Sequence, residues 1–179
     1  MKRIAFFCIG AAILLMTGCG YTTRSMVSGK YRTIYITPFV STIDITGQAD
    51  TGTSYRVYRP GLESDMTRSL TNKFLLDGNI KPSSQESADL VFKGELIEFR
   101  RDALRYTNSD EVEEYRLNIV VNISLWERTE NKMLWEEKGF VGDTTYFTQG
   151  PTVKSEAAAI ADAISDLSLR IVARVVEEW

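Results

Sequence analysis

The chain has 179 residues with no histidine and two cysteines, and 24 acidic against 21 basic side chains give a net charge of −3. Without imidazole it lacks the usual general base near neutral pH and a principal zinc ligand, and its acidic balance argues against nucleic acid as a partner. An apolar content of 44% with 11% aromatics belongs to a folded domain, not to a disordered tether.

The N-terminus is basic, then apolar, then small. Lys2 and Arg3 precede an apolar run from Ile4 to Met16, which has signal-peptide length and is too short to span a bilayer. Leu15, Met16, Thr17, Gly18 and Cys19 follow the layout of a bacterial lipobox, in which residues 1–18 are removed and Cys19 carries the lipid. The alternative is an ordinary cleaved signal before an unrelated cysteine. Removal of the signal takes Cys8 with it, and lipidation consumes the Cys19 sulfur, so no disulfide or thiolate metal ligand remains. No phosphate loop, nucleophile elbow or paired-acid pocket motif follows. No catalytic residue, metal or cofactor is therefore expected.

Residues 19–30 are small and polar and read as the lipidated cysteine and a tether, leaving 31–179 as one domain. Tyr31 to Val40 is β-rich, with Ile34 and Ile36 on one face and Pro38 ending regular pairing. Ser41 to Tyr58 carries Gly47, Gly52, Asp44 and Asp50 and reads as a long mobile loop, with function and disorder as equal alternatives. Pro60 and Gly61 open a helix whose stripe is Leu62, Met66, Leu70 and Phe74, and Gly78 is placed to end it in a left-handed conformation. A short piece from Ile80 to Pro82 and a Ser-rich linker follow.

Asp89 to Arg101 predicts a second strand with two apolar faces, since Leu90, Phe92 and Leu96 alternate while Ile97 and Phe99 fall on the opposite phase. Gly94 is the expected bulge. The third strand alternates most clearly: Tyr115, Leu117, Ile119, Val121, Ile123 and Leu125 point one way, opposed by Glu114, Arg116, Asn118, Asn122 and Ser124. A turn at Glu130 to Lys132 leads into a fourth strand, Met133 to Phe147, bent at Gly139 and Gly142. Gly150 and Pro151 break the sheet. Thr152 or Ser155 can then cap a last helix with Ile160, Ile164, Leu167, Ile171 and Val175 on one face. The predicted fold is α+β, a two-layer β-α-β-β-β-α sandwich with two helices on one face of a mostly antiparallel four-stranded sheet.

In this order the motifs resemble those of the lipopolysaccharide-assembly lipoprotein family LptE. The residues concerned are Gly18, Cys19, Gly20 and Tyr21 at the processing site, Pro38 and Phe39 after the first strand, and Pro60, Gly61, Leu62 and Glu63 at the helix start. Glu114, Tyr115 and Arg116 open the long strand, Leu134 and Trp135 lie in the next, and an Ala-rich helix follows. Each motif is short and the ordered set carries the resemblance, which covers nearly the whole chain. Val40 and Ser41 stand where Asn and Arg often follow the Pro-Phe pair, the loop 41–58 is longer than usual, and an extended tail present in some relatives is missing.

The resemblance implies a non-enzymatic lipoprotein anchored at the periplasmic face of a Gram-negative outer membrane. It implies a partner, the LptD β-barrel, which the protein plugs, and a ligand, lipopolysaccharide, bound during its insertion into the outer leaflet. Gly20 after the lipidated cysteine fits outer-membrane sorting.

Candidate lipopolysaccharide-binding residues are Arg100, Arg101 and Arg105, at the end of strand two and in the loop before strand three, because guanidinium forks suit lipid phosphates. Asp102 and the acids from Asp110 to Glu114 leave an equal alternative, a solvated hairpin neutralised from within. Lys154 at the last helix's start is a further candidate. Tyr106, Trp126, Trp135, Tyr146 and Phe147 are either partner contacts or cross-strand packing, and Trp179 covers the last helix's stripe or faces a partner. Two other readings remain at this stage: an adaptor lipoprotein that activates a cell-wall synthase, and a carboxylate-dependent envelope hydrolase.

Overall fold

The computed structural model describes residues 30–43, 54–56 and 59–177. The signal, Cys8, Cys19, the tether before Lys30, most of the 41–58 segment and Trp179 lie outside the described residues. Among the described residues, seven strands and two helices follow one another: β1 (Thr33–Ile36), β2 (Val40–Ser41), β3 (Ser54–Arg56), α1 (Leu62–Asp77), β4 (Lys81–Pro82), β5 (Leu90–Tyr106), β6 (Val112–Glu127), β7 (Lys132–Phe147) and α2 (Glu156–Glu177).

The expected four-stranded, mostly antiparallel sheet is corrected to a mixed one ordered β4-β1-β5-β6-β7, with β2 and β3 also paired to β5. β5, β6 and β7 form the predicted antiparallel meander. β1 runs parallel to both β4 and β5, because α1 carries the chain back to the starting end before the next strand begins, as a crossover connection must. β5 is long enough to serve three partners along one edge, β1 and β2 parallel and β3 antiparallel. Ser54–Arg56 therefore belongs to the sheet and not to a loop.

β5 reaches Tyr106, five residues beyond its expected end, and two irregularities hid it. Leu96 pairs with Val121 but Glu98 with Val120, so Ile97 is an extra residue and the phase flips there. Phe99 consequently returns to the face of Leu90, Phe92 and Leu96, and all four are buried. The strand has one apolar face, not two. Gly94 is regularly paired with Ile123 and is not the bulge. Its missing side chain instead makes room for the Phe39 ring, which a Cβ would strike.

Both helices follow their predicted stripes. Leu62, Met66, Leu70 and Phe74 are at most 1% exposed, and Gly78 ends α1 at φ 76°, donating its N–H to the Phe74 carbonyl at 3.1 Å, where a side chain would be strained. Ser155 caps α2 by accepting from the Ala158 N–H at 3.2 Å. Ala159, Ala163, Ile164, Leu167 and Ile171 press against Leu117, Ile119, Val121, Ile123 and Leu125 in the single core. Gly142 lets α2 sit directly on β7: a Cβ there would lie 2.7 Å from the Leu167 Cα and 2.8 Å from its nitrogen. The helices thus cover one sheet face and leave the other open.

Candidate functional site

The chain enters the domain at one end of the sheet, where Lys30 pairs with Glu127 at 3.4 Å and Asp89 fixes β1. One carboxylate oxygen of Asp89 accepts from the Arg32 N–H at 2.8 Å, the Thr33 N–H at 3.0 Å and the Thr33 hydroxyl at 3.0 Å. The Arg32 backbone bond is the largest influence holding its carboxyl below the usual carboxylate range. The β5–β6 turn lies at the opposite end, roughly 50 Å away at ~3.3 Å per residue of strand.

That far end holds the candidate arginines, and strand parity divides them. Arg101 faces Leu117 across the pair, which places it on the helix side. Arg100 faces the Asn118 position on the open side. Arg105, expected in a loop, lies in β5 opposite Glu114. A second irregularity between Ala103 and Arg105 moves it to the open side, because one extra residue exchanges the two faces. The three arginines therefore do not form one cluster.

Each is already engaged. Arg100 donates to Asp102 at 2.8 Å and to Glu98 at 3.3 Å, and Asp102 also accepts from the Asn118 amide at 2.9 Å. The Asp102 hydrogen bond, working against partial burial, leads the upward shift of the Arg100 pKa. Arg101 reaches over the sheet end to Glu156 at 2.6 Å and stacks on Tyr115 at 4.7 Å. Burial opposes the Arg101 charge, but the Tyr146 hydroxyl and Glu156 outweigh it and its pKa is raised. Burial likewise raises the Tyr146 phenol, which stays protonated. Arg105 is the loosest, 3.6 Å from Glu114 and over the Phe147 ring at 5.7 Å. Lys154 is paired with Asp162 of α2.

The open side also receives Arg116, which sits opposite Asp102 and carries no ion pair among the described residues. Its polar phase on β6 is legible in the sequence, where it reads as one more residue of the solvent face. The aromatics are mostly occupied. Tyr146 stacks on Tyr115 at 5.7 Å, Trp135 lies under Arg174 at 4.7 Å, and Lys93 caps Trp126 at 4.4 Å. Tyr106, 47% exposed, is paired with Val112 at the hairpin tip. Among the described residues no group of acids or cysteines could hold a metal ion, and no helix is long and apolar enough to cross a membrane.

The fold is that of the two-layer α+β domains, with two helices on one face of a mixed sheet. Its family is specific: the LptE model, described as lipopolysaccharide-assembly, matches residues 31–175. The chain belongs to the LptE family, and so to the lipoproteins of lipopolysaccharide assembly in the Gram-negative envelope. No curated protein sequence matches it.

Among solved structures, it is similar to the rare lipoprotein B from Shewanella oneidensis, at 16% identity and a TM-score of 0.47 over 80% of this chain and 93% of that one. A minor lipoprotein from Acinetobacter baumannii gives 15%, 0.47, 82% and 91% in the same order. The PelC dodecamer from Paraburkholderia phytofirmans gives 12%, 0.43, 78% and 87%. No functional conclusion rests on likenesses this distant.

Proposed function

We propose that the protein is an outer-membrane lipoprotein subunit of the lipopolysaccharide translocon. Residues 1–18 are removed, Cys19 carries the lipid, 19–30 form a tether, and the domain 31–179 plugs an LptD-like barrel while binding lipopolysaccharide on its way to the outer leaflet. It acts by binding and catalyses no reaction. The observation that carries this reading is the family match, which spans both helices and nearly the whole described domain.

The geometry supports a division of labour along β5. The anchor end, marked by Lys30, Glu127 and Asp89, faces the inner leaflet. Arg100, Arg105 and Arg116 share the open face at the far end, where they meet lipid phosphates by exchanging carboxylate partners for phosphate oxygens. Arg101 and Lys154 hold the start of α2 through Glu156 and Asp162. A 3.6 Å pair on an exposed side chain, as at Arg105, is worth less than ~1 kcal/mol and is readily exchanged.

The reading is tested by depletion. Cells deprived of the protein should stop delivering newly made lipopolysaccharide to the surface, and restoration should require Cys19, since Cys19→Ala leaves the domain unanchored in the periplasm. Unchanged surface lipopolysaccharide after depletion would sink the proposal.

A further inference from the structure

α1 and α2 pack against each other through their inner faces, with the Ser168 hydroxyl donating to Ser69 at 2.9 Å. On the outer side they leave an open groove of about 490 Å³. Its floor is Ala157, Ile160, Ala161 and Ile164 of α2, and Leu76 closes one wall. Leu76 is 82% exposed, and its neighbour Leu75 is 61% exposed. Leu76 beside this floor leaves an apolar surface uncovered by the rest of the domain.

The rim carries Arg59, Arg68 and Lys73 against one acid, Asp65. Asp65 is taken up by Arg68 at 3.3 Å, and Arg59 and Lys73 have no ion pair among the described residues. An excess of positive charge around an apolar trough stands out in a chain whose net charge is negative, and it selects the sign of what can lie there.

We infer that this groove is a docking site for an acidic, apolar-faced helix of a protein partner. Small residues at Ala157 and Ala161, one helical turn apart, let a third helix approach closely. A strand laid there would leave its backbone N–H and C=O groups facing side chains that offer no ladder. A symmetric second copy would set the same cations against one another. The occupant is thus a helix with apolar residues toward Leu76, Ile160 and Ala161, and carboxylates toward Arg59, Arg68 and Lys73. This assignment does not depend on the identity of the barrel partner.

The test is a photocrosslinking residue in place of Asn72, an exposed polar residue lining the groove, in the full-length lipoprotein in its native membrane, with the crosslinked peptide mapped by mass spectrometry. The inference expects a helical peptide of another protein with net negative charge. Its yield should fall at least about fivefold in the doubly reversed variant Arg59→Glu with Lys73→Glu, but not in Arg59→Lys with Lys73→Arg. Should the reversed variant fail to fold, raising salt from about 0.05 to about 0.5 M on the unreversed protein should lower the yield instead. A crosslink to lipid, to a second copy or to a neutral or basic segment, no crosslink, or a yield indifferent to both charge and salt overturns it.

Discussion

Arg101→Ala should destabilise the domain although Arg101 reads from the sequence as a ligand contact. The guanidinium, held on the sheet by the Tyr115 ring at 4.7 Å and the Tyr146 hydroxyl, reaches Glu156 at the start of α2 at 2.6 Å. Glu156 is 45% exposed on its side chain, so solvent screening reduces that pair to ~0.5 kcal/mol. The stacked cation adds ~0.5–1 kcal/mol, and the hydrogen bond to Tyr146, which is buried, ~1 kcal/mol. Their combined loss is about 2 kcal/mol. For a domain of this size that lowers Tm by roughly 4–8 °C.

Urea unfolding of the tether-less domain measures it, with Arg105→Ala as the comparison, because Arg105 has only its long pair and an exposed ring contact. Arg105→Ala should stay within ~0.5 kcal/mol of the parent. Equal stability losses for the two variants, or none for Arg101→Ala, would refute the assignment of Arg101 to the helix clasp.

Two more tests address the packing and the anchor end. Gly142→Ala should cost ~3 kcal/mol, the upper part of the range for overpacking, because its Cβ meets the Leu167 backbone and not a flexible side-chain tip; a loss under ~1 kcal/mol in urea would show that α2 is not seated on β7 as described. The Asp89 carboxyl, depressed in the folded state by the Arg32 and Thr33 groups, stabilises the fold above its unfolded pKa, and that contribution is lost as pH falls through the lower folded value. Asp89→Asn should therefore narrow its stability gap to the parent between about pH 6 and about pH 2, and a gap constant with pH would contradict the clamp.

Local periodicity carries much of this fold. Leu62, Met66, Leu70 and Phe74, and the six-residue stripe of β6, each bury against one surface, so burial is written at a fixed interval in the sequence. Direction and register are not local properties. β1 gives no sign that it will run parallel to β5, and Ser54–Arg56 becomes a strand because the long edge of β5 supplies its partner. Ordinary strand alternation puts Arg100 and Arg101 on opposite faces, and the irregularity near Leu104 moves Arg105 to the side of Arg100, so three arginines that look clustered along the chain separate in space. Arg116 is hidden for the converse reason: it is distant in sequence and joins the open face only through the β5–β6 pairing.

The central claim, a lipid-anchored subunit seated in a barrel, is tested most directly by purifying the full-length lipoprotein from gently solubilised outer membranes and identifying what stays bound. The account predicts a large LptD-like β-barrel in stoichiometric amount, retained through washes that remove other envelope proteins. Recovery of the lipoprotein alone, or with a cell-wall synthase in place of a barrel, would contradict it.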